Sequence, residues 1–169
     1  MKNFREWFRA KDSFFISESA GGIYRAYHGG LWDGKQPLRL NGRGALGVGA
    51  YFTPDRDRAL EYARRAMGMV VEVEIELQNP LVFGFNVVYG PVDALIALGM
   101  DKNKALDLVE KAWDRYGDIG SQIKTKAMNQ GYDGLVQMDK NNSSEISEIV
   151  IWDRNKVKRI LSVEPFEFS

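Results

Sequence analysis

The most regular pattern in the chain is an alternation of apolar and polar residues at positions 69–77. From Val71 to Leu77 every second residue is apolar, and the residues between them are glutamates. Successive side chains of a strand point to opposite faces, so this pattern predicts a half-buried strand with one apolar and one wet face. Asn79 and Pro80 end the strand, and the apolar residues after Pro80 predict a brief continuation of it.

Shorter apolar runs bounded by turn residues predict the other strands. They comprise a run from Gly21 that ends near His28 and strands at residues 49–53, 132–138, 148–152 and 157–163. Residues 29–49 are rich in glycine and show neither the period of a strand nor that of a helix. We therefore expect a loop between the first two of these strands.

Apolar residues spaced three and four apart predict the helices. The predicted helices cover residues 3–9, residues 54–67, a segment after Asp101 within a helical block at about 90–116, and residues 119–129. Thr53 to Asp55 is expected to supply the cap of the second helix, with Pro54 at its first position. Gly131 is expected to close the last helix.

The order of these elements predicts an α+β domain with antiparallel-rich or mixed sheets. The helices fall into two blocks, and most strands follow one another too closely for the crossovers that parallel strands need. No internal repeat and no linker interrupts the 169 residues. We therefore expect one domain over residues 1–169.

Charge and composition narrow the classes of function. Lys plus Arg and Asp plus Glu number 23 each, so no long-range field draws the chain to nucleic acid or to an anionic membrane. Several arginines in the N-terminal half are interpreted as solvated surface, with a local basic patch as the alternative. They are Arg39, Arg43, Arg56, Arg58, Arg64 and Arg65.

The chain contains no cysteine and one histidine. Disulfide scaffolds, thiolate zinc sites, cysteine nucleophiles and multi-histidine metal sites are thereby excluded, and we expect no metal. The charged N-terminus lacks the apolar core of a signal peptide, and no run approaches the ~20 apolar residues of a membrane span. A cytoplasmic location is expected, in a cell or in a phage-infected host.

His28 is the first candidate for chemistry, because it ends an apolar strand and precedes Gly29 and Gly30. A lone histidine is commonly structural. Residues without a Cβ, however, let a ligand approach the backbone and bind its N–H and C=O groups. The two glycines therefore place a ligand-binding role of this segment beside the structural one, and the segment alone does not decide between them.

Tyr51, Tyr62 and Glu148 are the other candidates. Two aromatic rings that face one cleft can hold a flat heteroaromatic group, with stacking worth about 1 kcal/mol beyond burial. For Tyr62 taken alone, a place in the hydrophobic core is the alternative. A carboxylate at the start of an apolar strand can bind a sugar hydroxyl and stabilise positive charge at an anomeric carbon. A solvated strand end is the alternative for Glu148, and Glu145 is its rival for the catalytic role.

In this order, the three motifs resemble the His-Tyr-Glu group of ADP-ribosyltransferases, which includes the catalytic domains of poly(ADP-ribose) polymerases. "YHGG" resembles the first-strand motif of that family, "GAYFTPDRDRALEYA" its Gly-x-Tyr-Phe strand and following helix, and "SEIVIW" its final Glu motif. The resemblance spans Tyr24 to Ile160 but has no counterpart for residues 90–116. It implies two packed sheets split around an NAD cleft, with helices at the flanks.

The resemblance also implies a role for each matching residue. His28 would bind the adenosine-side ribose, and the backbone of Gly29 would pair with the nicotinamide carboxamide. Tyr51 and Tyr62 would hold the nicotinamide ring. Glu148 would contact the 2′-hydroxyl of the nicotinamide ribose and favour an oxocarbenium-like transition state. His28, Tyr51 and Glu148 are thus the predicted catalytic residues.

Two further positions bear on this assignment. Ala59 stands where the polymerases have a carboxamide-binding serine, so we expect NAD affinity to be weaker by the ~0.5–1.5 kcal/mol of one neutral hydrogen bond. Thr53 or a water can compensate, which makes Thr53 a predicted NAD-binding residue. Glu145 lies in the loop before Glu148, where the family places substrate-recognition residues; an exposed loop carboxylate is the alternative.

The expected function is mono-ADP-ribosyl transfer from NAD to a macromolecule, with release of nicotinamide. A protein acceptor is expected, and a nucleic acid acceptor stays open. The alternatives are an NAD glycohydrolase toxin and a binding or inhibitor module that keeps the cleft without chemistry. Such a small chain suits a phage protein that modifies host machinery or a defence complex, or a bacterial toxin with a partner antitoxin.

Overall fold

The structure, a computed structural model, describes residues 21–84, 90–114, 119–139 and 145–167. The predicted helix at residues 3–9 lies outside the described residues. The strands are β1 (Gly22–Gly30), β2 (Gly42–Gly44), β3 (Gly47–Phe52), β4 (Met69–Leu77), β5 (Pro80–Phe83), β6 (Gly134–Met138), β7 (Ile146–Ile151) and β8 (Val157–Pro165). The helices are α1 (Arg56–Ala66), α2 (Gly90–Ala97), α3 (Lys102–Asp114) and α4 (Gly120–Asn129), with a 3-10 turn at Arg154–Lys156.

The strands form two sheets that pack against each other, which confirms the predicted α+β architecture. The smaller sheet is antiparallel in the order β1-β4-β8, and the larger is mixed in the order β2-β3-β7-β6-β5, with β5 and β6 parallel. Apolar side chains from both sheets fill the space between them, so burial of this layer stabilises both together. The layer includes Tyr24, Ala26, Phe52, Val71, Val73, Ile75, Val136, Ile149 and Ile151.

β4 shows the predicted alternation, but the face that carries its glutamates is less exposed to solvent than predicted. Glu72 is only 8% exposed. β4 is the central strand of the smaller sheet, so its polar side chains have neighbours on both sides. The guanidinium of Arg25 on β1 and the hydroxyl of Ser162 on β8 both donate to the Glu72 carboxylate.

The predicted continuation of β4 after Pro80 is wrong, because β5 belongs to the larger sheet and pairs with β6. The chain changes sheets at Gln78 and Asn79, whose amides donate to the two carboxylate oxygens of Asp133 at 2.7 and 3.0 Å. Lys156 also binds Asp133, at 2.9 Å. One carboxylate therefore holds the corner through which the chain passes between sheets.

α1 begins later than predicted. Asp55 is its N-cap and accepts hydrogen bonds from the amides of Asp57 and Arg58 at 2.9 and 3.2 Å. Thr53 is held outside the helix, because its backbone N–H and C=O bind those of Tyr27 on β1. Pro54 consequently lies in the connection between strand and helix.

Residues 29–49 are not wholly a loop, since β1 extends to Gly30 and β2 forms a hairpin with β3. The sequence does not predict this hairpin, because glycines stand at positions where alternating apolar and polar side chains would indicate a strand. They also permit a close approach of the two strands: a Cβ on Gly42 would lie 2.8 Å from the carbonyl oxygen of Gly49.

The helical block packs on the far face of the larger sheet. Its core contains Leu81, Phe83, Leu135 and Val150 from strands, and Val92, Leu95, Ala105, Val109, Ile123 and Ala127 from helices. The Asp101 cap of α3 is confirmed by bonds from two amides, and Gly131 closes α4 with φ of 86°. α2 lies within the predicted helical block at about 90–116, but the pattern does not delimit it as a separate helix, because its residues are buried almost all round and show no amphipathic period.

Candidate active site

A cleft of about 710 Å³ opens between the end of β1, the β2–β3 hairpin, the start of α1 and β7. It brings together residues that the sequence separates widely: His28, Gly29, Tyr51, Thr53, Tyr62 and Glu148 all line it. Tyr51 and Glu148 lie on one face of the larger sheet, because Tyr51 pairs with Val150, two residues beyond Glu148. Glu145 does not line the cleft.

His28 lines the cleft, and its ring is held on several sides. Its Nδ1 lies 2.8 Å from the carbonyl oxygen of Tyr51, so Nδ1–H donates and Nε2 is left as an acceptor in the neutral ring. Trp32 packs edge-on at 5.8 Å and Phe52 at 5.5 Å between ring centroids. Burial lowers the pKa of His28, against the opposing effect of the Tyr51 bond. The imidazole is therefore neutral near pH 7.

Gly29 is required by packing as well as by the cleft. A Cβ there would lie 1.8 Å from the carbonyl oxygen of Ala59 on α1. Ala59 is fully buried with Ala63 and Val70 and does not line the cleft. Its methyl group fills the contact between helix and strand, and the effect of Ala59 on NAD affinity stays a prediction.

Tyr51 is oriented by the hairpin beneath it. Its hydroxyl donates to the carbonyl oxygen of Gly47 at 2.6 Å, and a Cβ on Gly44 would lie 2.5 Å from the aromatic ring. Burial, followed by the nearby charge of Glu148, raises the pKa of the Tyr51 phenol. The phenol is therefore neutral, with its hydroxyl bound to the hairpin and its ring beside the cleft.

Tyr62 and Thr53 both line the cleft, but they differ in solvent exposure and in hydrogen bonding. Tyr62 is 44% exposed and presents an open aromatic surface from α1. Thr53 is buried, and its hydroxyl oxygen accepts a bond from the Asp55 amide at 3.1 Å. The hydroxyl hydrogen and the second lone pair of Thr53 are left to bind a ligand.

Glu148 is the third residue of β7, not its first as the sequence predicted, and it pairs with Gln137 of β6. This internal position leaves it partly buried. Burial raises the pKa of its carboxyl group, and the charge of Arg58 lowers it. The exposed Glu145 lies just before β7, where its carbonyl oxygen accepts from the Asp139 amide at 2.7 Å.

Three of the arginines interpreted as solvated surface line the cleft: Arg39, Arg43 and Arg58. The guanidinium of Arg58 donates to the hydroxyl of Ser147 at 2.8 Å. Helix spacing is the signal that identifies this residue, since Arg58 and Tyr62 are four apart on α1 and share a face. Charge composition alone does not distinguish it from exposed arginines.

Within residues 21–84, 90–114, 119–139 and 145–167, no group of three or more acidic or histidine side chains is placed to hold a metal ion. No helix in the same ranges is long and apolar enough to cross a membrane.

One comparison with known protein families supports the α+β fold. A family model described as "ADP-Ribosyltransferase in polyvalent proteins" matches residues 18–165. No curated protein and no solved structure gives a significant match. The match includes every residue that lines the cleft. The chain belongs to the ADP-ribosyltransferase family.

Proposed function

We propose that this protein transfers a single ADP-ribose group from NAD to a protein and releases nicotinamide. The observation that carries the proposal is the presence of His28, Tyr51, Tyr62 and Glu148 on one cleft. NAD is the general co-substrate of the family to which the chain belongs. The proposal therefore concerns what each residue does with this dinucleotide and what accepts the transferred group.

The two tyrosines and Gly29 suit the nicotinamide end. Tyr51 supplies a fixed ring and Tyr62 an exposed one, and such surfaces stack on a flat heteroaromatic ring. The backbone of Gly29, which carries no side chain, pairs with the carboxamide. His28 suits the other ribose, because its Nε2 can accept a hydrogen bond from a hydroxyl while Nδ1–H stays bound to Tyr51.

Glu148 suits the reacting ribose. The bond that breaks joins the anomeric carbon to the ring nitrogen of nicotinamide, which leaves as a neutral molecule with the bonding electron pair. The ribose becomes positively charged, and an ionised Glu148 that binds its 2′-hydroxyl stabilises this charge in the transition state. The acceptor attacks the opposite face of the anomeric carbon and loses its proton.

A protein acceptor is favoured by the balanced charge of the chain, which gives no long-range attraction to nucleic acid. Glu145 is exposed three residues before Glu148, so we propose that it meets the acceptor. We propose that this acceptor is a host protein of a phage or the target of a bacterial toxin. A glycohydrolase would use the same residues with water as the acceptor.

Incubation with labelled NAD and a host lysate tests the proposal, with wild type beside Glu148→Gln and Glu145→Gln. The expected result is a labelled protein and nicotinamide release with wild type, and neither with Glu148→Gln. Glu145→Gln should keep nicotinamide release but lose labelled protein. Release that no target alters, with no labelled product, would show a glycohydrolase instead. A cellular or binding activity that survives Glu148→Gln would show a non-catalytic module.

A further inference from the structure

Arg58 brings a positive charge to the Glu148 end of the cleft. It is the third residue of α1, and the Asp55 cap binds its amide at 3.2 Å, which fixes where its side chain begins. Its guanidinium then reaches β7, where Nη1 donates to the Ser147 hydroxyl at 2.8 Å and lies 3.5 Å from the Ser147 carbonyl oxygen. The first turn of α1 is thereby tied to the strand that carries Glu148.

Ser147 is a buried anchor for this guanidinium. It is 9% exposed and immediately precedes Glu148 on β7. Arg58 therefore contacts the hydroxyl and lies near the carbonyl oxygen of the residue before Glu148, and it lines the same cleft as the Glu148 carboxylate. No ion pair within 4.0 Å and no hydrogen bond to the Glu148 carboxylate occurs among the described residues.

This arrangement separates two requirements of the proposed reaction. A carboxylate that pairs directly with an arginine would have its oxygens occupied, whereas Glu148 must bind a sugar hydroxyl. A cation held one residue away favours the ionised carboxylate without itself occupying the carboxylate oxygens.

We propose that Arg58 is a positioning residue that keeps Glu148 charged and aimed into the cleft, and that Ser147 holds Arg58 in place. This inference rests on the proposed function for the use of Glu148, and on the contacts above for the role of Arg58.

The other charged or titratable groups of the cleft do not replace Arg58. His28 on β1 is neutral near pH 7 because burial lowers its pKa, and the phenol of Tyr51 on β3 has a raised pKa. Tyr62 shares α1 with Arg58, while Arg39 and Arg43 come from the segment that leads into the hairpin and from the hairpin itself. Burial raises the pKa of Glu148, and the charge that opposes this effect is that of Arg58.

The first test measures the ionisation of Glu148 without any substrate. Carboxyl carbons are titrated by NMR in protein labelled at glutamate, with Glu148→Gln to assign the signal. Wild type is compared with Arg58→Gln, Arg58→Lys and Ser147→Ala. The matched control is Arg65→Gln, which removes an exposed arginine of the same helix that pairs with Glu61 and does not line the cleft.

Arg58→Gln should raise the titration midpoint of Glu148, Ser147→Ala should raise it less, and Arg58→Lys should restore part of the wild-type value. Arg65→Gln should leave the midpoint unchanged. An unchanged midpoint in Arg58→Gln, in a variant with wild-type circular dichroism, would overturn the proposal. If Arg58→Gln does not fold, an unchanged midpoint in both Arg58→Lys and Ser147→Ala would overturn it in the same way.

The second test follows nicotinamide release against pH. The acid limb of kcat in Arg58→Gln should move to higher pH, because a larger fraction of Glu148 is protonated at each pH. At neutral pH kcat should fall about 10- to 100-fold, the loss expected when a group aimed at the reacting atoms is misplaced, with a smaller change in KM. A kcat equal to wild type would overturn the positioning role. Absence of release from wild type would instead overturn the proposed function and leave the titration result as it stands.

Discussion

The imidazole Nδ1 of His28 and the carbonyl oxygen of Tyr51 lie 2.8 Å apart, which joins two candidate site residues that are 23 positions apart in the chain. The bond runs from a strand of the smaller sheet to a strand of the larger one. His28 is thereby oriented by the backbone of the residue whose ring forms another wall of the cleft. The positions of His28 and Tyr51 therefore both depend on the place where β1 of the smaller sheet meets β3 of the larger sheet.

Replacement of His28 by Gln should remove a pH-dependent part of the stability. Burial lowers the pKa of His28 in the folded chain, so the unfolded chain binds this proton more readily. The contribution of neutral His28 to the free energy of unfolding is present above the ordinary histidine pKa of about 6.5. It is lost as the pH falls through the lower pKa that His28 has in the folded chain. Thermal unfolding between pH 7 and pH 5 should show a smaller loss of stability in His28→Gln than in wild type. Equal losses would contradict the prediction.

Glu148→Gln should lower nicotinamide release by about 10²- to 10³-fold at neutral pH, as expected when a group that stabilises transition-state charge is lost. The same substitution should increase the stability of the folded protein at neutral pH. Burial raises the pKa of Glu148, so folding opposes its charge, and the neutral glutamine should raise the melting temperature at pH 7. This gain should vanish at acidic pH, where Glu148 is protonated. Glu145→Gln, on an exposed residue, is the control and should show no such gain.

Gly29→Ala should destabilise the fold by about 1–3 kcal/mol or more, the usual cost of overpacking. The added Cβ would lie 1.8 Å from the carbonyl oxygen of Ala59, so α1 must move away from β1. Gly84→Ala is the matched control, because a Cβ there meets nothing within 4 Å. Urea unfolding of the two variants is the measurement, and equal midpoints would disprove the close contact.

The two tyrosines should respond differently to substitution. Tyr51→Phe loses the bond to the Gly47 carbonyl oxygen and keeps the ring, so stability should fall by about 0.5–1.5 kcal/mol with little change in KM for NAD. Tyr62→Ala removes an exposed ring, so KM should rise while stability changes little. Kinetics and denaturant unfolding on both variants check this, and the reverse assignment of effects would count against it.

Asp133→Asn should weaken the corner between the two sheets. The carboxylate accepts from two backbone amides and from Lys156, and charged hydrogen bonds of this kind are worth about 1.5–3 kcal/mol each. Asp107→Asn is the comparison, because Asp107 pairs with Lys111 on an exposed helix face, where a loss of about 0.3–0.5 kcal/mol is expected. Similar losses in the two variants would mean that the corner bonds contribute no more than a surface pair.

The sequence predicts those parts of the fold in which side chains alternate or repeat. β4 has the predicted bounds because glutamates separate its apolar residues. The sequence does not predict the β2–β3 hairpin, because its glycines carry no alternating pattern. It predicts a helical block that includes α2 but not the bounds of this helix, because burial on almost every side removes the amphipathic period. Whether β5 extends β4 or joins another sheet depends on Asp133, which lies more than 50 residues away.

The sequence likewise predicts some of the candidate site residues and not others. Motif spacing and residue type predict His28, Tyr51 and Tyr62, whereas Gly29 and Glu148 follow from the resemblance of their motifs. The structure places all five on one cleft. Composition groups Arg58 with the surface arginines, whereas its spacing of four residues from Tyr62 on α1 places it on the face of the helix that lines the cleft. Glu148 and Glu145 could not be separated by sequence, since the choice depends on where β7 begins.

The paired backbone bonds between Tyr27 and Thr53, at 2.8 and 2.9 Å, limit how the protein can admit a dinucleotide. They join the sheets beside the cleft, so the sheets cannot part there unless both bonds break. The two bonds therefore oppose any widening of the cleft at this edge, and we expect a ligand to gain access by movement of the hairpin or of side chains such as Tyr62. The amides of Tyr27 and Thr53 should exchange with deuterium slowly, while those of the hairpin tip exchange fast, and NAD should protect only the second group.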